Sequence, residues 1–141
     1  MDYVLSFKIV FTGDSGCGKS SIIQRYEYNC KHPGGNDDFF MNQYSTSTIG
    51  VDYISIRHPY KLEDGNTCEI KLSIWDTGGQ EKFECIVRSY FRQLSGVVLM
   101  FDLTLKSSFD NLERWLELID FENYCDHKHS ILLLGNKKDR N

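Results

Sequence analysis

Residues 13–20, which read GDSGCGKS, have the residue types and the spacing of a phosphate-binding loop. Glycines let a backbone turn its N–H groups inward around phosphate oxygens, and a helix that begins there adds its positive dipole end. Lys19 can reach the outer phosphates, and the Ser20 hydroxyl can hold a magnesium ion. The alternative is a flexible turn that only resembles this motif. We predict that these residues bind phosphate: Ser15, Gly16, Cys17, Gly18, Lys19, Ser20 and Ser21.

Residues 75–81, which read WDTGGQE, form a second candidate segment directly after an alternating apolar run. Asp76, at the end of a predicted strand, is placed to bind magnesium through its water shell. Gly79 can offer its backbone N–H to a terminal phosphate, and Gln80 can orient a water molecule for in-line attack. A kinase would need an acceptor hydroxyl and a base instead. The pattern therefore favours hydrolysis over a solvated turn, with Gln80, Lys19 and Gly79 as the catalytic residues.

Residues 135–139, which read GNKKD, follow the apolar run 131–134 and can recognise a guanine base. The Asp139 carboxylate can accept hydrogen bonds from both the ring N–H and the exocyclic amine of guanine. Adenine presents an acceptor at that edge and would leave the charge unpaired. Taken alone, such a polar loop is common. As the third motif in this order, it predicts guanine binding by Asn136, Lys137 and Asp139.

The segments between the motifs predict an α/β fold in which strands and helices alternate. Short continuous apolar runs are typical of buried parallel strands. These runs are residues 7–11, 97–101 and 131–134. Residues 51–59 and 69–75 flank a turn signal at 63–66, which predicts an antiparallel hairpin whose first strand lies at the sheet edge. Ligand is expected beyond the carboxyl ends of the parallel strands, where the three motifs converge.

Helices are predicted near residues 19–28, 82–93 and 108–124. In the last of these, apolar residues recur at helical spacing, which predicts a face that packs in the core. They are Leu112, Trp115, Leu116 and Ile119.

Taken together, the motifs resemble those of the small GTPases of the Ras superfamily, and within it the Rab family. The phosphate loop, Thr48, residues 76–80 and residues 136–139 follow in the family's order. The Rab-like character comes from four further segments: residues 49–53, 71–75, 89–92 and 101–104. The resemblance covers nearly the whole chain. It implies the P-loop NTPase (small G-protein) fold, with a mostly parallel sheet, one antiparallel edge strand and helices on both faces.

By this resemblance the cofactors are GTP or GDP and Mg²⁺, and Thr48 ligates the metal and senses the terminal phosphate. Phe40 is the expected aromatic against the guanine, with Phe39 as the second choice. An effector surface is implied, with ordinary packing of its aromatic residues as the alternative. Its residues are Ile49, Tyr53, Trp75 and Tyr90.

The implied function is a molecular switch in vesicle and membrane trafficking that slowly hydrolyses GTP to GDP and phosphate. From residue 26 to Thr48 the only basic residue besides His32 is Lys31. No arginine is therefore supplied in cis, and an activating protein must supply one. Effector, GTPase-activating and exchange proteins are the expected partners, and we expect a monomer. The alternative, which Gly78 and the expected truncation favour, is a nucleotide-binding scaffold or interaction module with little or no turnover.

The sequence departs from the family's pattern in four places. Gly78 stands where Rab proteins usually carry alanine, and residues 29–36 read as an inserted loop from their Pro-Gly-Gly signal. The chain ends at Asn141, without the last strand and helix that the resemblance implies. We therefore expect a single GTP-binding domain over residues 1–141, truncated after the guanine motif. Since no cysteine for prenylation follows Cys125, no membrane anchor is expected in this chain.

Composition argues against several other classes of function. A formal charge of −4 and the absence of a basic stripe argue against nucleic-acid binding. The longest apolar stretches have the length of strands, too short to span a membrane, and residues 1–12 carry no secretory signal. Five cysteines without paired spacing favour a reducing, cytoplasmic compartment. Residues 125–129, which read CDHKH, are interpreted as a helix end rather than a metal site.

Overall fold

The computed structural model describes residues 4–35, 51–78, 88–122 and 129–140, without the side chains of residues 51, 121 and 122. Several predictions lie outside the described residues. They are the site residues Phe40, Thr48, Ile49, Gly79 and Gln80, and most of the metal-site alternative at 125–129. Of the helix predicted at 82–93, only the part from residue 88 is described, and there residues 88–90 are helical.

The described strands form one five-stranded sheet. They are β1 Val4–Thr12, β2 Val51–Lys61, β3 Thr67–Thr77, β4 Gly96–Asp102 and β5 Ser130–Asn136. The spatial order is β2-β3-β1-β4-β5, and within this sheet only the β2–β3 pair is antiparallel. The predicted architecture is confirmed. The strands extend beyond the predicted runs because an apolar run marks burial, whereas backbone pairing continues through polar neighbours such as Ser6 and Thr12.

A tight turn joins β2 to β3 at the position that the sequence predicts. The two strands are paired along all 11 residues of each. In the turn, the Asn66 N–H donates to Asp64 Oδ1 at 2.9 Å, and Gly65 has φ +85°. Asp and Gly supply this bonding and this conformation in turns. The hairpin and the edge position of β2 are therefore confirmed.

Besides the helical residues 88–90, the described helices are α1 Lys19–Lys31, α2 Lys106–Asp110, α3 Leu112–Glu122 and a short 3₁₀ helix, Lys138–Arg140. α1 continues past its predicted end, so residues 29–31 of the predicted inserted loop are helical. An i,i+4 ion pair between Lys31 Nζ and Glu27 Oε1, at 2.6 Å, lies in this last turn. None of the described helices is both long enough and apolar enough to cross a membrane.

The single helix predicted over 108–124 is divided into α2 and α3, which corrects that prediction. Ser108 is buried, and its Oγ accepts from the Asp102 N–H at 2.9 Å and donates to the Leu105 carbonyl oxygen at 2.7 Å. These bonds tie α2 to the end of β4, and the helical path is interrupted at Asn111. Periodicity in the sequence does not reveal a tertiary hydrogen bond of this kind.

Alternate residues of β4 face two different parts of the core. The cluster that includes α3 contains Val10, Phe91, Leu94, Val97, Leu99, Leu112, Trp115 and Ile119. On the other face, Val98 and Met100 pack with Cys17, and Ile23 of α1 packs with Ile74 of β3. Because successive side chains of a strand point to opposite faces, helices lie on both sides of the sheet. The predicted core face of α3 is confirmed.

β5 is a strand, as predicted, but its apolar residues are not buried. Ile131, Leu132 and Leu133 are 45%, 57% and 53% exposed. β5 is the outermost strand of the described sheet and pairs with β4. An apolar run is buried only where another layer covers it, and the described residues leave these three side chains open. The prediction of a buried strand is corrected accordingly.

Candidate functional site

The phosphate loop lies between the end of β1 and the start of α1. Gly13 has φ +137° and Gly18 has φ +95°, which residues with side chains rarely adopt. A Cβ on Gly13 would lie 2.1 Å from the Met100 carbonyl oxygen, and one on Gly18 would lie 2.3 Å from Asn136 Nδ2. These two positions therefore need glycine for space as well as for conformation. Gly18 is also the N-cap of α1, so the positive end of the helix dipole lies at the loop.

The Lys19 side chain is 5% exposed. Its Nζ donates to the carbonyl oxygens of Gly13 at 2.7 Å and Asp14 at 2.8 Å. Burial lowers the pKa of Lys19, and the charges of Cys17 and Asp76 partly oppose this effect. In such a desolvated position, an ammonium group attracts an anionic oxygen more strongly than it would in water. Lys19 is therefore suited to hold a phosphate group.

Ser20 and Asp76 line one cavity of about 240 Å³ between α1 and strands β2 and β3. Asp76 is 4% exposed and lies near the carboxyl end of β3. Gln24 and Asp52 add further oxygen atoms to the wall. Hydroxyl and carboxylate oxygens are the hard ligands that Mg²⁺ prefers, so this donor set fits a magnesium site. Thr48, the third predicted ligand, lies outside the described residues.

β5 brings the third motif to the phosphate loop. Asn136, its last residue, donates from Nδ2 to the carbonyl oxygen of Cys17 at 2.8 Å, across 119 positions of sequence. The parallel pairing of β5 with β4 and of β4 with β1 places their carboxyl ends at the same edge of the sheet. Asp139 lies in the 3₁₀ helix just after β5 and is exposed. The loop and the third motif are therefore brought together, as predicted.

Lys137 is held by the loop that follows β4. Its Nζ lies 2.6 Å from Asp102 Oδ2, while Thr104 donates to Asp102 Oδ1 from its N–H at 2.9 Å and its hydroxyl at 2.6 Å. The hydrogen bond from Lys137, followed by those from Thr104, lowers the pKa of Asp102 to about 2. Asp102 therefore remains ionised and keeps Lys137 in place with φ +67°. Sequence reasoning misses this role of Asp102.

The Ras family model matches residues 8–141 of this chain. This chain belongs to the Ras family. The match covers the phosphate loop, the end of β3 and the Asn136–Asp139 motif, so the prediction that these segments share one family pattern is confirmed.

Relatives of Rab type support the Rab assignment within the Ras family. Ras-related protein Rab-26 of Homo sapiens is 34% identical over 97% of this chain and 47% of its own length. Ras-related protein RABD2a of Arabidopsis thaliana and GTP-binding protein ypt1 of Schizosaccharomyces pombe are each 41% identical over 98% of this chain and 60% of their own length. The chain therefore spans 47–60% of the length of these relatives.

Three aromatic residues of the predicted effector surface form a row in this Ras-family chain. Tyr53 of β2 lies opposite Trp75 of β3, with ring centroids 4.6 Å apart, and the Trp75 and Tyr90 centroids are 4.7 Å apart. Tyr53 is 47% exposed, and the other two are partly exposed. The rings therefore pack together and also remain open to a partner. Ile49 lies outside the described residues.

The Asp14 side chain has two partners that sequence reasoning misses. Asn111 Nδ2 donates to Asp14 Oδ2 at 2.6 Å, and Trp115 Nε1 donates to Asp14 Oδ1 at 2.9 Å. The only signal in the sequence is the Trp115 indole, because a buried indole N–H usually needs an acceptor. Which acceptor it finds depends on how α3 packs, and no local pattern contains that information.

Proposed function

We propose that this chain binds GTP and GDP with Mg²⁺ and slowly hydrolyses GTP to GDP and phosphate. The observation that carries the proposal is the convergence of the three motifs, above all the hydrogen bond between Asn136 and the phosphate loop. Membership of the Ras family supports a guanine nucleotide as the ligand. In an open α/β sheet, ligands bind beyond the carboxyl ends of the parallel strands, where these segments meet.

Phosphate binding rests on the backbone of the loop and on Lys19. The dipole of α1 and the desolvated ammonium group both favour negative charge at this point. The proposed phosphate-binding residues are Ser15, Gly16, Cys17, Gly18, Lys19, Ser20 and Ser21, with Gly79 at the terminal phosphate. Ser20, Asp76 and Thr48 would hold Mg²⁺, which supplies neutralising charge on the phosphates when it is bound.

Guanine recognition rests on the exposed carboxylate of Asp139. It would accept hydrogen bonds from the ring N–H and the amine of guanine, and Phe40 would lie against the base. Asn136 and Lys137 hold the segment in place through their bonds to Cys17 and Asp102. Adenine offers no matching donors at that edge, so the pocket would reject it.

Hydrolysis is assigned to Gln80, which would orient the attacking water, with Lys19 and Gly79 at the phosphate oxygens. Intrinsic turnover is expected to be on the order of 10⁻⁴ to 10⁻³ per second, as for family members without an arginine in cis. Thr48 and Gly79 would hold their loops only while a terminal phosphate is present, so hydrolysis would release both loops.

The Rab-type relatives support a role as a switch in vesicle and membrane trafficking. Effectors would bind the row formed by Tyr53, Trp75 and Tyr90 in the GTP-bound state. Activating and exchange proteins would set how long the chain stays in the GTP-bound and GDP-bound states. We propose that residues 1–141 act as one monomeric GTP-binding domain in a reducing, cytoplasmic environment.

Single-turnover phosphate release from GTP and Mg²⁺ tests the proposal. The unmodified chain should release phosphate at the slow rate given above, and Gln80→Leu should lose most of this release while it still binds GDP. Gln93→Leu, which makes the same chemical change at an exposed position, should leave the rate unchanged. A Gln80→Leu rate equal to that of the unmodified chain would refute the assignment. GDP binding without any enzyme-dependent release would identify a nucleotide-binding scaffold instead.

A further inference from the structure

The Asp14 side chain connects the phosphate loop to the junction of α2 and α3. Its two carboxylate oxygens accept separate hydrogen bonds, from Asn111 at 2.6 Å and from Trp115 at 2.9 Å. The donors are 97 and 101 positions away in sequence. Hydrogen bonds to an ionised acceptor are stronger than those between neutral groups, so this is a strong tertiary contact to the loop.

The donors are themselves held in place. Trp115 is 4% exposed and packs in the α3 core cluster, so its indole N–H is fixed in direction. Asn111 lies at the end of α2, where its own N–H donates to the Ser107 carbonyl oxygen at 3.0 Å. A side chain that accepts from two such donors keeps little freedom of its own.

Fixing the Asp14 side chain also orients the backbone that binds Lys19. The Asp14 carbonyl oxygen accepts from Lys19 Nζ at 2.8 Å, beside the Gly13 carbonyl at 2.7 Å. The same carbonyl accepts from the Cys17 N–H at 3.4 Å. The two donors hold the carboxylate toward α3, so its negative charge is kept from the side of the loop where phosphates would bind.

We propose that Asp14, Asn111 and Trp115 form a brace that positions the phosphate loop for nucleotide. Asp14 is a positioning residue. Its backbone carbonyl orients Lys19, and its carboxylate is held away from the side of the loop where phosphates would bind. The proposal rests on the proposed function, because it assumes that the loop binds the phosphates of a guanine nucleotide.

A swap of the two polar side chains tests the brace. Asp14→Asn removes the charge; its amide can still accept from Trp115 and pair with a rotated Asn111 amide, so only weaker hydrogen bonds between neutral groups remain. Asn111→Asp places a carboxylate against the Asp14 carboxylate, so two acceptors face each other. In the double variant, the amide and the carboxylate exchange places and the hydrogen bond can form again, while position 14 still accepts from Trp115.

The measurement is the dissociation rate of a fluorescent GDP analogue in the presence of Mg²⁺. Asn111→Asp should release GDP about tenfold faster, as expected when a hydrogen bond to a charged group is lost, and Asp14→Asn should speed release by less. Adding Asp14→Asn to Asn111→Asp should bring the rate back to within about threefold of the unmodified chain. Trp115→Phe keeps an aromatic ring and removes the donor, so it should also speed release. Asn29→Asp, at an exposed position of α1, is the matched control and should change nothing.

The ratio of GMP to GDP affinity separates positioning from simple loss of folded protein. Losing the brace should weaken GDP binding more than GMP binding, because the loop would hold the outer phosphate. Equal losses for both ligands, no change in the single variants, or no recovery in the double variant would overturn the brace while leaving the proposed function intact. If the unmodified chain binds no guanine nucleotide, the proposed function fails, and the brace fails with it.

Discussion

Replacing Gly18 with alanine should uncouple the phosphate loop from the end of β5. Gly18 has φ +95°, and an added Cβ would lie 2.3 Å from Asn136 Nδ2. The conformational strain of a side chain at such a φ costs about 1–2 kcal/mol. Asn136 must also move away, which removes its 2.8 Å bond to the Cys17 carbonyl and costs about 1 kcal/mol more. Gly18→Ala should therefore lower the free energy of unfolding by about 2–3 kcal/mol.

Gly65→Ala is a matched control for the strain alone. Gly65 has φ +85°, and no atom lies within 4 Å of its ideal Cβ, so its replacement should cost only about 1–2 kcal/mol. The clash itself is tested in an Asn136→Ala background, where Gly18→Ala should also cost only the strain. The two substitutions should thus be coupled by about 1 kcal/mol.

The assay is equilibrium unfolding in urea, followed by tryptophan fluorescence on nucleotide-free protein in the presence of a chelator. Two results would refute the reasoning. One is a Gly18→Ala loss no larger than that of Gly65→Ala. The other is additivity of the Gly18 and Asn136 substitutions to within about 0.5 kcal/mol, which would mean that the two residues do not meet.

Three further predictions concern stability. Thr12 is fully buried, and its Oγ1 has no hydrogen-bond partner among the described residues, so Thr12→Val should stabilise the chain by about 1 kcal/mol; a lower urea midpoint would contradict this. The pKa of Asp102 is lowered from 3.8 to about 2, so its ionised form adds stability that is present above pH 3.8 and is lost as the pH falls toward 2. Asp102→Asn should therefore flatten the loss of stability in that window in acid titrations of unfolding, and an unchanged slope would count against the Lys137 contact. Leu99 is 2% exposed and Leu132 is 57% exposed, so Leu99→Ala should cost about 2–5 kcal/mol and Leu132→Ala less than about 1 kcal/mol; equal losses in urea unfolding would show that β5 is covered in solution.

The buried strand β4 and the hairpin could be predicted from local patterns in the sequence. The apolar run of β4 marks a buried parallel strand, and the Asp64-Gly65 turn supplies the bonding and the φ that a hairpin needs. Whether a strand is buried depends less on its own sequence. The residues of β5 are as apolar as those of β4, yet Leu132 is exposed, because burial depends on what lies over the strand.

Interruptions and long-range contacts could not be predicted in the same way. The division between α2 and α3 accompanies the bond between Ser108 and the Asp102 N–H. The helical spacing of the residues in the sequence gives no sign of this division. In the site, glycines and strand ends identify the phosphate loop and the Asn136–Asp139 motif. The partners of Asp14 lie about 100 positions away, so only the packing of α3 reveals them.

Calorimetric titration of GDP and of ADP into the folded chain, with Mg²⁺ present, tests the central claim most directly. The convergence of the phosphate loop, Asp76 and the Asn136–Asp139 motif predicts saturable heat with GDP and far weaker binding of ADP. No heat with GDP, or equal affinities for GDP and ADP, would contradict a guanine-nucleotide site at this edge of the sheet.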